Sequence, residues 1–216
     1  MPLPHADIAD TALHDLLQSS AQVWRGTHTL RIKTCASGYA MLDAALPGGG
    51  WPIGALIELL PACEGIGELR LSMPALKTLN DANRQIVFVR PPHTPYPPAL
   101  LRAQLSLQNI LWVHPGNDED ARWAAEQTLR AGAAGAVLVW SDNGDDRNLR
   151  RLQLAAETGL ALAFLYRTPS ALQQPSPAAL RLLLQPAADG VQVEILKARG
   201  GHRAVVQVPL PLSCLS

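Results

Sequence analysis

The sequence predicts an α/β fold: a doubly wound, mostly parallel central sheet with antiparallel strands added at its C-terminal end. Three observations carry this. Short apolar runs alternate with helical segments through the middle of the chain, the order that builds a parallel sheet covered by helices. Those runs are apolar almost without interruption, as expected of strands buried on both faces. After residue 179 the pattern becomes three strand-like runs joined by Asp189-Gly190 and Gly200-Gly201 turns, which suits antiparallel pairing. With 216 residues the chain is ample for a real core, and 48% apolar against 17% charged residues excludes general disorder.

Residues 1–30 read as a tail, a short amphipathic helix and a linker. The helix, Asp10 to Ser20, carries Ala12, Leu13, Leu16 and Leu17 at helical spacing. It packs on its own chain, docks on a partner or self-associates; the sequence leaves all three open. The linker holds Trp24 and Arg25, residue types favoured as interface anchors and equally suited to packing against a core. The core is expected over 31–209, with a short tail at 210–216.

Core strands are predicted at Ile57–Leu60, Ile86–Val89, Ile110–Val113, Val137–Trp140 and Ala161–Tyr166, then at Leu180–Leu184, Val191–Lys197 and Ala204–Val208. A helix follows the first strand, from Ser72 to Leu79. A second runs from Asp118 to Arg130: Asn117 caps it, Asp118, Glu119 and Asp120 suit its positive end, and Gly132 ends it. A third runs from Asp145 to Glu157, with Gly159 as its stop. Thr168 to Pro177, rich in Pro, Ser and Gln, reads as an exposed loop.

The strand Ile57–Leu60, the glycine-bearing stretch Glu64-Gly65-Ile66-Gly67-Glu68-Leu69 and the helix behind it have the layout of a phosphate-binding P-loop. In such a loop backbone N–H groups cradle phosphates, a Lys reaches the β/γ-phosphates and a Ser/Thr hydroxyl holds Mg²⁺. Here Glu68 and Leu69 stand where the Lys and hydroxyl belong. At an effective dielectric of ~20, unit charges ~4 Å apart interact by about 4 kcal/mol, so exchanging Lys for Glu reverses the sign of a large term. The expectation is a vestigial loop that holds no nucleotide, with no catalytic residue and no cofactor.

The lead-in segment Ser37-Gly38-Tyr39 to Leu42-Asp43, the Pro47-Gly48-Gly49-Gly50-Trp51-Pro52 turn and the late stretch Val193 to Arg203 resemble the RecA/ImuA/SulA group, and the whole pattern is most similar to the ImuA family. The resemblance implies a RecA-like core. It places Pro92 at the catalytic glutamate and Asp142 near the Walker B position, where Asp142-Asn143-Gly144 is read first as a turn. It puts the loop Thr168–Pro177 where RecA has its second DNA-binding loop. It makes Trp51 a candidate plug for the vacated nucleotide site. It also implies a non-catalytic role in SOS-induced, error-prone translesion synthesis. The implied partners are an ImuB-like polymerase protein and, through it, an error-prone replicative-type DNA polymerase, with RecA and single-stranded DNA as further candidates. The alternative within the group is a SulA-like cell-division inhibitor that binds FtsZ.

Arg147, Arg150 and Arg151 fall at i, i+3 and i+4 on one helix face. The economical reading is a solvated face; the functional one is a small patch for single-stranded DNA or an acidic partner. Eighteen basic and eighteen acidic residues leave no overall charge to drive duplex DNA binding. Three scattered cysteines and six histidines show no zinc or nucleophile spacing, so no metal is expected. The N-terminal residues have no signal-peptide pattern and no apolar run is long enough for a membrane span, which gives a cytoplasmic, membrane-free expectation.

Overall fold

The computed structural model describes residues 33–142 and 144–210, which belong to the compact unit Ile32–Ser216. The amphipathic segment Asp10–Ser20 and the linker residues Trp24 and Arg25 lie outside the described residues. Eight strands form one sheet in the order β10-β9-β8-β3-β7-β6-β4-β5. They are β3 (Ala55–Pro61), β4 (Gln85–Val89), β5 (Ile110–Val113), β6 (Ala134–Trp140), β7 (Leu162–Tyr166), β8 (Leu180–Ala187), β9 (Gly190–Ala198) and β10 (Ala204–Pro209). Two short strands, β1 (Thr34–Cys35) and β2 (Trp51–Pro52), pair separately. From β8 to β5 every neighbour is parallel, while β9 and β10 add antiparallel. The expected doubly wound sheet with antiparallel C-terminal strands is therefore the fold. One strand differs in detail: β8 runs parallel to β3, because residues 167–179 cross the sheet before the chain re-enters it.

Helices α1 (Ala40–Ala45), α2 (Glu68–Asp81) and α3 (Pro97–Arg102) lie on one face of the sheet, and α4 (Asp118–Arg130) and α5 (Asp146–Gly159) on the other. Strand β3 serves both cores, sending Ile57 and Leu59 to the first and Leu56 to the second. This is the period-two alternation of a strand covered on both sides. No helix among the described residues is long and apolar enough to cross a membrane.

Helix α2 starts four residues earlier than Ser72, at Glu68, and runs through Pro74. A proline inside a helix leaves the carbonyl four residues back without its donor. That carbonyl belongs to Arg70, and the Tyr39 hydroxyl donates to it at 3.0 Å. The lead-in segment thus repairs the helix that follows the loop. At α4 the Asn117 side chain accepts from the Asp120 amide at 2.9 Å, the cap expected from sequence. Gly159 is the last residue of α5 rather than a stop beyond it, and Leu160 takes the left-handed turn (φ 48°). A Cβ at Gly159 would run into the Leu129 carbonyl, so the glycine permits α4 and α5 to meet closely.

Candidate functional site: a self-occupied phosphate cradle

Strand β3 ends at Pro61, the chain turns through residues 62–67, and α2 begins. Gly65 (φ 81°) and Gly67 (φ 99°) take left-handed conformations that aim their amides into the turn. Both are occupied. The Gly65 N–H donates to Glu68 Oε1 and the Gly67 N–H to Glu68 Oε2, each at 3.1 Å. The carboxylate lies where backbone donors and the positive helix end favour an anion, so the side chain in the lysine position acts as the loop's own anion. Leu69 turns away and packs against the first core. Gly67 is also crowded from behind: a Cβ there would lie 2.5 Å from Leu210 Cδ1, so Leu210 braces the loop.

In front of the loop, at the carboxyl ends of the central strands, is a cleft of about 450 Å³ lined by residues that include Glu64, Glu68, Arg90, Pro92, Asp142 and Thr168. This is the usual ligand position in an open α/β sheet. Trp140 and Tyr166 line it, stacked at 4.5 Å and 8°, and the core residue Phe88 lies 6.3 Å from Trp140. The buried Tyr166 hydroxyl lies 3.3 Å from Ser72 Oγ. Burial, and secondarily the Glu68 charge, raise the Tyr166 phenol above its ordinary range. The polar side chains at the rim are engaged. Arg90 pairs with Asp118, and Asp142 Oδ1 accepts the Thr168 amide at 2.6 Å. His93 and Glu64 approach to 3.3 Å as an exposed pair. Among the described residues no cluster of His, Cys, Asp or Glu is arranged to hold a metal ion.

Trp51 does not plug this cleft. It is fully buried in β2, edge-on to Phe164 at 5.3 Å, and belongs to the first core. The group filling the cradle is the Glu68 carboxylate.

Thr168–Pro177 is largely exposed, as its composition predicts, but side chains from the sheet tie it down. Glu58, fully buried on β3, faces two arginines: Arg167 Nη1 donates to its Oε1 at 2.8 Å, and Arg181 Nε lies 2.8 Å from its Oε2 as an ion pair outside hydrogen-bond alignment. The arginines then hold the loop. Arg167 donates to the Asp142 carbonyl (2.8 Å) and Gln174 Oε1 (2.6 Å), and Arg181 to the carbonyls of Gln174 (3.1 Å) and Ala171. Lys197 adds a bond to the Ser176 carbonyl at 2.7 Å; burial and the nearby Arg181 lower its pKa. The sequence signal for this cluster was Glu58 itself, a carboxylate inside an apolar strand that had to find a cation.

On the far face the arginine row divides. Arg150 pairs with Asp146 at 2.7 Å, and Arg151 reaches across to Glu126 on α4 at 2.8 Å. Arg130 takes the other Glu126 oxygen at 2.9 Å. Arg147 is exposed. Beside them Trp123 is 60% exposed, an outward aromatic that helical periodicity alone did not single out.

No family model matches the chain. It is 30% identical over 109 residues to Protein RecA of Bacillus velezensis and, to the same extent, to Protein RecA of Bacillus subtilis. Each alignment takes in 50% of this chain and 31% of the relative, so the chain spans about a third of the length of the curated relatives it matches. Among solved structures, SulA from Pseudomonas aeruginosa aligns with a TM-score of 0.45 and 25% identity, over 52% of this chain and 97% of SulA. Half of this chain is thus similar in sequence to RecA, on a fold that suits that similarity.

Proposed function

We propose that this protein is a non-catalytic, RecA-like accessory factor of the SOS response to DNA damage, of the ImuA kind. It serves error-prone translesion synthesis by binding an ImuB-like polymerase protein and, through it, an error-prone replicative-type polymerase, with RecA as a second partner. The observation that carries this is the Glu68 carboxylate on the Gly65 and Gly67 amides. A nucleotide phosphate would have to displace a covalently attached anion and then lie beside its charge, with neither Lys nor hydroxyl to compensate. Pro92 offers no carboxylate to activate water, and Asp142 is committed to the Thr168 amide. The architecture of an ATP-driven core without its chemistry suits a protein that works by contact. Sequence similarity to RecA over half the chain supports the DNA-damage setting.

The test is a binding titration of the purified full chain against immobilised ImuB-like protein, RecA with and without single-stranded DNA, and FtsZ, each with and without ATP. Submicromolar binding to the ImuB-like protein or RecA, unchanged by ATP, is the expected result. Binding to FtsZ alone moves the protein to cell-division control, and an ATP-dependent response overturns the non-catalytic reading.

A further inference from the structure

The cradle lies where β3 ends; at the other end of the sheet, where β3 begins, two turns meet. Leu180 at the start of β8 pairs with Ala198 at the end of β9, and the β9–β10 turn, residues 199–203, lies just beyond. A Cβ on Gly201 would lie 2.6 Å from Pro47 Cγ, so this turn rests on the turn Pro47–Gly50. A Cβ on Gly50 would run into the Cys35 carbonyl, and Thr34 Oγ1 donates to the Gly48 carbonyl at 2.9 Å, so the second turn is seated on β1. Lys33 immediately precedes β1, and its carbonyl accepts the Ile53 amide just before β3. Lys33, Arg199 and Arg203 are thereby gathered around one glycine-rich surface, and all three are exposed. Among the described residues, none of them makes an ion pair or a hydrogen bond through its side chain. The carboxylates on the neighbouring elements, Asp43 on α1 and Glu194 on β9, pair with none of the three; Asp43 accepts the Ser37 amide at 2.8 Å. In a chain with formal net charge zero, this is positive charge left without a counter-ion.

We infer that this surface binds the phosphate backbone of a nucleic acid without reading its sequence. Residues 47–50 and 199–203 are proline, glycine, arginine and histidine only. They present charge and approachable backbone, and no large apolar side chain of the kind that anchors a folded partner. Arg and Lys are the usual donors to phosphate oxygens, and such contacts fix position while carrying no base information. The two turns also lack Trp, Tyr and Phe, so they offer no platform on which bases would stack. At about −0.7 per contact on a single strand, three contacts make log K fall with log salt at a slope of about −2. Such a contact is weak alone and gains from any partner that already holds the nucleic acid nearby. The inference goes beyond the adaptor reading and does not depend on it.

The experiment titrates the full chain into labelled oligothymidylate, a mixed-sequence single strand and a duplex, by fluorescence anisotropy over a range of salt. One variant combines Arg199→Glu with Arg203→Glu, a second combines Arg199→Lys with Arg203→Lys, and Arg147→Glu on α5 serves as the control; all three positions are exposed. The two single strands should bind alike, with a salt slope of about −2. The charge-reversed protein should bind about tenfold more weakly or worse, while the lysine pair and Arg147→Glu stay within about twofold of wild type. Duplex that binds with the same salt dependence is the same phosphate chemistry from a second source; single strands alone would restrict the surface to a flexible backbone. No binding at low salt, or charge-reversed protein that binds as well as wild type, would overturn the inference. An equal loss in Arg147→Glu would move the contact to α5, and polyglutamate that competes as well as oligonucleotide would make this a site for acidic polypeptide; either result sinks the inference. If the reversed pair lowers the Tm, the lysine pair decides together with Lys33→Gln, which should weaken binding and flatten the salt slope by about 0.7. Partner titrations with the charge-reversed protein should match wild type, so a failure here leaves the adaptor reading untouched.

Discussion

Glu68 Oε2 accepts a hydrogen bond from the amide of Gly67, the residue immediately before it and the left-handed N-cap of α2. With the Gly65 bond, one side chain satisfies two donors that would otherwise face the cleft. Glu68→Ala should therefore cost about 1 kcal/mol and expose both amides, seen as faster hydrogen exchange at Gly65 and Gly67. Pyrophosphate should raise the Tm of this variant at concentrations that leave wild type unchanged. Equal shifts in both proteins would mean that the carboxylate is not what closes the cradle.

Among the described residues Glu58 is the one carboxylate paired with both Arg167 and Arg181. Glu58→Gln keeps the shape and removes the charge, leaving two guanidinium groups without a counter-ion. The expected cost is about 3–5 kcal/mol, a fall in Tm of roughly 10 °C for a chain this size. Proteolytic cutting within 168–177 should rise in parallel. Glu157→Gln, on the exposed side of α5, should stay within about 0.5 kcal/mol of wild type.

Tyr166 gives a pH dependence whose sign is fixed. Burial raises its pKa above the ordinary value of 10.0, so the unfolded chain ionises first. Its contribution to stability is complete below that pH and is lost as pH climbs above it. Spectrophotometric titration should show that Tyr166 ionises only as the protein unfolds. Tyr166→Phe should flatten the alkaline loss of stability.

Arg150 and Arg151 are neighbours with different consequences. Arg150 meets Asp146 on its own helix in solvent, while Arg151 meets Glu126, which is 5% exposed, on another helix. Arg150→Ala should change stability by no more than about 0.5 kcal/mol, and Arg151→Ala should cost about 1 kcal/mol. If either arginine also contacts single-stranded DNA, its loss will weaken binding and reduce the salt slope by about one.

The sheet was legible because its strands are apolar on both faces, and α4 because Asn117 and three acidic residues mark its start. The departures have local causes. The first turn of α2 reads as loop because Glu68 to Leu71 continue a glycine-bearing stretch, and nothing in a linear pattern says that Tyr39 will supply the donor missing at Pro74. That the P-loop lacks its Lys and hydroxyl is readable from Glu68 and Leu69, but that the Glu68 carboxylate turns onto the loop's own amides, while Trp51 packs in the core, depends on where each side chain points. Composition marks 168–177 as exposed, which it largely is, and only the tertiary position of Arg167 and Arg181 shows it tied.

That tied segment has a consequence for how the surface works. Its carbonyls at Ala171, Gln174 and Ser176 are fastened to side chains from β8 and β9, and its Gln174 side chain to Arg167 at the end of β7. A partner that covered this segment would therefore meet a finished template, with little conformational entropy left to lose. Its kinetic signature would be single-step association without a slow ordering phase, and a binding heat capacity that tracks the apolar area covered and nothing more.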